Sequence, residues 1–205
     1  FYDRTVDAIN RYNPDLIYFD VTVAPFYPIS DAGLKIAAHF YNHNMATHKG
    51  KLEAVMLSKI LDENQRKAIV WDVERGAPNE IMERPWQSCS CIGGWHYTTS
   101  VYENNWYKSA SDVAKLLIDI VSKNGNLLLS VPLRADGTFD EKEEKILNEF
   151  GEWMNINKEA IYSTRPWEVF GEGPIAEADI KINAQGFDYG TLKAVSTIKS
   201  YRCFE

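Results

Sequence analysis

Two carboxylates stand where apolar runs end. Asp20 closes Leu16-Ile17-Tyr18-Phe19, and Glu74 closes Ala68-Ile69-Val70-Trp71-Asp72-Val73. A short apolar run is how a buried parallel strand reads, and a polar residue at its end marks where the chain emerges. An unpaired charge is costly to bury, so a strand-end carboxylate needs polar partners or an open cleft. Two carboxyl groups at separate strand ends have the makings of glycoside hydrolysis, in which one donates a proton and the other attacks or activates water. Strand alternation puts Asp72 and Glu74 on one side, so either acid fits the second role on pattern alone. Glu80, Glu83 and Glu103 are further acids, on loops, and read as solvated surface groups. Asp20 itself has the plainer reading of a helix cap or a salt-bridged structural acid.

Aromatic residues follow the acids: Trp86, Trp95, Tyr97, Tyr102, Trp106 and Tyr107, with Trp71 just before Glu74. Aromatic faces stack on the apolar faces of sugars, and they also fill cores. Several of them in a stretch that also holds Gly93-Gly94 and Asn104-Asn105 suit a binding wall. His96 stands among them. His39 and His43 are four residues apart on a helix but lack the Glu of a zinc-binding His-Glu-x-x-His, so no metal site is expected. His39 reads as packing, and His43 and His48 as solvent-exposed. No nucleophile-elbow Gly-x-Ser-x-Gly occurs.

The elements that must hold these residues alternate along the chain. A helix over 1–12 ends at Asn13-Pro14, because proline restricts the residue before it. After the Asp20 strand, residues 21–30 form a loop. In a helix over 32–48, capped by Asp31, Leu34, Ala38, Tyr41 and Met45 lie near one face. Strands are expected at 52–58, 67–74 and 86–92, then an aromatic loop at 93–107. A helix over 112–123 capped by Ser111 comes next, ended by Gly125, then a strand at 127–131 and a helix to about 157 capped by Asp140. Ile146, Leu147, Phe150 and Trp153 form the apolar side of that last helix.

Strand, loop and helix repeating in this way predict an α/β fold with a parallel sheet. No Gly-rich phosphate loop follows a strand, which disfavours a nucleotide-binding sheet. Acids and aromatics after strand ends favour a (β/α)8 (TIM) barrel, whose active site lies at the C-terminal face. Only four or five strands are visible, so the expectation is the C-terminal half of such a barrel over 1–165. Residues 166–205 would be a linker and the start of a β-rich, sandwich-like region. Both ends of the chain read as cut from a longer protein.

The bulk properties agree. The 205 residues are 45% hydrophobic and carry a net charge of −7. An acidic chain lacks the basic footprint of a nucleic-acid binder, and no apolar run is long enough to span a bilayer. Cys89, Cys91 and Cys203 make no disulfide framework and are expected as half-buried thiols. No Asn-x-Ser/Thr sequon is present.

Three segments resemble the α-L-fucosidases of glycoside hydrolase family 29. They are Tyr12-Asn13-Pro14-Asp15-Leu16-Ile17-Tyr18-Phe19-Asp20; Asp72-Val73-Glu74-Arg75-Gly76 with Pro85-Trp86-Gln87 and Ile92-Gly93; and Tyr107-Lys108-Ser109-Ala110 through Ser122-Lys123-Asn124-Gly125-Asn126-Leu127-Leu128-Leu129 and Ala135-Asp136-Gly137-Thr138 to Ile161-Tyr162-Ser163-Thr164-Arg165-Pro166-Trp167. Order and spacing hold from about residue 10 to 170. The resemblance implies a retaining double displacement that releases terminal L-fucose from glycans or glycoconjugates, without metal or cofactor. It implies Asp20 as nucleophile and Glu74 as general acid/base, about 5–5.5 Å apart. Beside these, the aromatic cluster gives Trp71, Trp86, Trp95, His96 and Tyr97 as the expected substrate contacts. A fucosylated oligosaccharide is the implied partner, and a periplasmic, secreted or lysosomal location the implied setting. Val21 follows Asp20 where the family often has glycine, and Trp95-His96-Tyr97 replaces its Trp-Gly-Tyr. The histidines with which the family grips fucose lie on earlier strands than any in this chain. A glycan-binding barrel without turnover, or a barrel glycosidase acting on another deoxy sugar, is the competing expectation.

Overall fold

The computed structural model describes residues 1–20 and 30–172, and the backbone of 182–183 and 186–187. Its elements are α1 (Tyr2–Tyr12), β1 (Leu16–Phe19), α2 (Ala32–Thr47), β2 (Val55–Ser58), β3 (Val70–Glu74), β4 (Trp86–Cys91), α3 (Thr99–Glu103), α4 (Ala110–Ser122), β5 (Gly125–Ser130), α5 (Glu141–Asn157), β6 (Ile182–Asn183) and β7 (Gly186–Phe187). Strands β1 to β5 form one sheet in sequence order, in which β1 with β2, β2 with β3 and β4 with β5 run parallel. This is the expected partial (β/α)8 barrel. The short β6 and β7 pair antiparallel. The rest of the expected β-rich region, Cys203 and the loop at 21–29 lie outside the described residues.

The chain divides into two compact units, Phe1–Asp72 and Val73–Glu205. In the first, α1 and α2 enclose a core of Ile9, Ile36, Phe40, Ala54, Met56, Leu61 and Ile69. The buried stripe of α2 is Gly33, Ile36, Phe40 and Asn44, whereas Leu34 and Met45 are exposed. The face that carries Leu34, Ala38, Tyr41 and Met45 lies one position round from the buried one, and of these Tyr41 packs against the core. Both faces of this helix carry apolar residues, and the bulky Ile36 and Phe40 take the interior. Asn13, in left-handed backbone with φ 44, ends α1 as its C-cap. Asp31 precedes α2 without a side-chain cap. It pairs instead with Lys35 at 3.0 Å, and Ser30 Oγ accepts from the Ala32 amide.

In the second unit, α4 packs on β5 and on α5. Its cap is Ser109 rather than Ser111. The Ser109 hydroxyl accepts from the Asp112 amide while the Asp112 carboxylate returns to the Ser109 amide, which satisfies two helix-end donors at once. Gly125 opens β5 instead of ending α4, because Asn124 takes the left-handed turn at φ 69. A Cβ at Gly125 would stand 2.6 Å from two ring atoms of Trp86 and 2.7 Å from Ile120. The strand therefore lies directly on the indole. Asp140 caps α5 as expected.

Candidate active site

Strand register brings three side chains of the first unit to one level. Phe19 pairs with Ser58, and Ser58 with Trp71. The next residues on the three strands, Asp20, Lys59 and Asp72, are therefore lateral neighbours. Lys59 Nζ donates to Asp20 Oδ1 at 2.6 Å. Tyr18, two positions before Asp20 and on the same side of β1, donates its hydroxyl toward Asp20 Oδ1 at 3.3 Å and toward Asp72 Oδ1 at 3.3 Å. A phenol has one hydrogen to donate, so it serves these two acceptors in alternation.

The two carboxylates differ in surroundings. Asp72 is 1% exposed, whereas the Asp20 side chain is 74% exposed beside a Lys59 that is 17% exposed. The Lys59 hydrogen bond holds the Asp20 carboxyl below the usual carboxylate range. Its positive charge and the Tyr18 hydroxyl act the same way, and partial burial opposes them. Asp20 is thus accessible and firmly ionised, with both donors on one oxygen. Lys59 is itself fixed through its backbone, whose carbonyl accepts from Trp71 Nε1 at 3.1 Å. The guanidinium of Arg66 covers the Trp71 ring at 3.7 Å, a stacking that orients both groups.

Lys59 was missed in the sequence because it follows a short strand and resembles a solvated loop cation. The signal was its position: it comes one residue after the end of β2, as Asp20 comes one residue after the end of β1. The helical histidines are half-buried rather than solvent-facing at His43 and His48. His39 and His43 hydrogen-bond Asn10 and Asn13, at 2.8 and 2.6 Å, and His48 Nδ1 lies 2.8 Å from the Asn44 carbonyl.

The second unit holds the remaining candidates. Glu74 is half-buried at the end of β3. Arg75 follows it in left-handed backbone at φ 52. That geometry is tied down three times. The Arg75 amide donates to the Cys89 carbonyl at 2.8 Å, its side chain to Cys91 Sγ at 3.5 Å, and its guanidinium lies 4.9 Å from the Trp95 ring centre. Cys89 and Cys91 are thiols and fully buried, not half-buried. Gly93 allows the aromatic loop to fold down, since a Cβ there would meet Val101 Cγ1 at 2.7 Å.

Trp86 corrects one expectation. It is 1% exposed and donates its indole N–H to the Lys123 carbonyl at 2.8 Å, so it is a core residue with no face for a sugar. Trp95 and Tyr97 are half-buried and His96 is exposed. Arg134 lies 6.0 Å from the centre of the Tyr97 ring and pairs with Glu141 at 2.9 Å. Tyr102 donates a short hydrogen bond to Glu141, and Lys142 lies over the Tyr102 ring. Trp106, 64% exposed, is the most open aromatic of the loop. Glu80, Glu83 and Glu103 face solvent, as expected of surface acids.

Known proteins share this architecture. Thermotoga maritima α-fucosidase superposes with a TM-score of 0.63 at 24% identity, covering 82% of this chain and 35% of that one. Paenibacillus thiaminolyticus α-L-fucosidase isoenzyme 1 does so at 0.64 and 20% identity, covering 82% and 42%. The shared fold is that of part of a (β/α)8 barrel. A family model described as alpha-L-fucosidase matches residues 1–159, and the chain belongs to the alpha-L-fucosidase family. Rat tissue alpha-L-fucosidase is 26% identical over 180 residues, 81% of this chain and 36% of the relative. Human plasma alpha-L-fucosidase is 31% identical over 96 residues, 46% and 20%. The chain thus spans about a fifth to a third of these two curated relatives. No helix among the described residues is long and apolar enough to cross a membrane.

Proposed function

We propose that the protein is a retaining exo-α-L-fucosidase acting on terminal α-linked L-fucose of glycans or glycoconjugates, with Asp20 as nucleophile and Glu74 as general acid/base. One observation carries the reading: Asp20 is an accessible, ionised carboxylate at the C-terminal end of a barrel strand, anchored through a single oxygen. A nucleophilic carboxylate must be charged and reachable, and Lys59 meets the first need without covering the group. A mechanism-based inhibitor complex of the Thermotoga maritima enzyme and a trapped covalent intermediate of the Bacteroides thetaiotaomicron enzyme support covalent catalysis in proteins of this fold.

In the first step Asp20 Oδ2 bonds the anomeric carbon, and the glycosidic C–O bond breaks. Glu74 gives its proton to the departing oxygen. In the second step water attacks the anomeric carbon, Glu74 takes the water's proton, and the ester bond returns its electron pair to Asp20. Trp71, Trp95, His96 and Tyr97 are the proposed sugar contacts. Trp71 offers at most the ring face that Arg66 leaves uncovered.

The test uses the full-length enzyme and an aryl α-L-fucoside. Asp20→Ala loses nearly all turnover, and azide restores it by forming fucosyl azide; near-normal turnover in that variant refutes the assignment. Glu74→Ala slows poor leaving groups far more than activated aryl fucosides, which need little protonation. Equal loss on both moves the acid/base role to another carboxyl.

A further inference from the structure

Tyr18 and Asp72 have no part in the chemistry proposed above, yet the Tyr18 hydroxyl links the buried Asp72 to the candidate nucleophile. The phenol oxygen lies 3.3 Å from Asp20 Oδ1 and 3.3 Å from Asp72 Oδ1. Asp72 is sealed from solvent, and Asp20 is open to it. The two acceptors compete for one hydrogen, and a hydrogen bond to a charged oxygen is about twice as strong as one to a neutral oxygen. Whichever carboxyl group carries more charge holds the O–H. Charge on Asp20 is what a double displacement changes: it is present before attack, gone in the ester, and present again after hydrolysis.

We propose that Tyr18 and Asp72 are a positioning pair for Asp20, in which the phenol O–H serves the charged nucleophile and turns to Asp72 while Asp20 is esterified. The inference rests on Asp20 being the nucleophile. As the bond from Oδ2 to the anomeric carbon forms, Oδ1 becomes the carbonyl oxygen of an ester and a poorer acceptor. The hydrogen then finds Asp72 without the phenol moving. When water cleaves the ester, the returning charge draws it back. A second acceptor thus prevents the Tyr18 donor from holding Asp20 in its unreacted state. Among the described residues, Lys59 from the end of β2 bonds Asp20 directly and is present throughout, and Asp72 on β3 is linked to it through Tyr18 of β1.

The test is the acidic limb of the kcat/KM–pH profile of the full-length enzyme with an aryl α-L-fucoside. Tyr18→Phe removes a donor that favours charged Asp20, so the limb moves up by roughly 0.5–1 unit. Asp72→Asn weakens the competing acceptor, commits the O–H to Asp20 and moves the limb down. In the double variant the downward shift from Asp72→Asn shrinks, because the part carried by the phenol is gone and only the direct effect of charge remains. A merely structural role does not make the Asp72→Asn shift depend on Tyr18. An unmoved limb in Tyr18→Phe, or an Asp72→Asn shift of the same size with and without the phenol, overturns the proposal. If Asp72→Asn does not fold, the Tyr18→Phe limb alone decides it. Asp20→Ala is measured alongside: normal turnover there sinks the nucleophile assignment, whereas a dead Asp20→Ala with an unmoved Tyr18→Phe limb sinks only the positioning pair.

Discussion

Asp20 in the first unit and Asp140 in the second are both aspartates bonded by a tyrosine hydroxyl, and they are opposites. Asp140 is fully buried, and its acceptors are engaged from several directions. Oδ1 takes the amides of Lys142 and Glu143 at 2.9 and 2.8 Å, and Oδ2 takes Tyr107 at 2.5 Å. Asp20 is mostly exposed, and its donors Lys59 and Tyr18 both sit on Oδ1. Burial with complete hydrogen bonding makes an acid a structural part, whereas exposure with one-sided anchoring leaves an oxygen for chemistry. Burial also pushes the Tyr107 phenol well above its ordinary range, and the Asp140 bond adds to it. That proton stays in place.

The sharpest way to break this contrast is to remove the carboxylate charge at each position. Asp20→Asn lowers turnover by about 10³-fold or more while the unfolding midpoint barely changes, in keeping with loss of a nucleophile. Asp140→Ala destabilises folding by about 2–4 kcal/mol, from a lost helix cap and stranded donors. Urea unfolding and steady-state kinetics on both variants check the pair, and a stable, inactive Asp140→Ala would erase the distinction. Next in size, Lys59→Met moves the acidic limb of kcat/KM upward. Asp20 has a depressed pKa, so the active charged form is present above that pKa and is lost as pH falls through it; without Lys59 the loss begins at higher pH. A limb that stays put or falls would mean that Lys59 does not set the charge. Tyr107→Phe costs about 1–2 kcal/mol by leaving Asp140 short of a donor, seen as a lower urea midpoint. The smallest effect is at Glu141, whose carboxyl is pulled down to about 2, first by the Tyr102 hydroxyl and also by Arg134. Carbon-13 NMR should show that midpoint, and Arg134→Gln should raise it.

Much of the architecture was readable because apolar runs and capping residues act locally. The strand ending at Asp20 and the capped helix after Asp140 rest on short-range patterns that tertiary contacts left intact. Trp86 was misread because a tryptophan near acids looks the same whether it lines a cleft or a core. Only Gly125, 39 residues later, gives it the backbone approach that seals it. Ser111 lost the cap to Ser109 because Asp112 lies three residues after Ser109, where a reciprocal bond closes. Lys59 and Asp72 join Asp20 through register between strands, and no single segment carries that information.

The hydrogen bond from the Trp71 indole to the Lys59 carbonyl also has a practical meaning. Indole emission responds to nearby charge and wetting, and this ring is one residue's backbone away from the ammonium that grips Asp20. Trp86, shut off from water, supplies a steady background signal. Light from Trp71 therefore reports changes in charge and wetting around Lys59, with no dye attached.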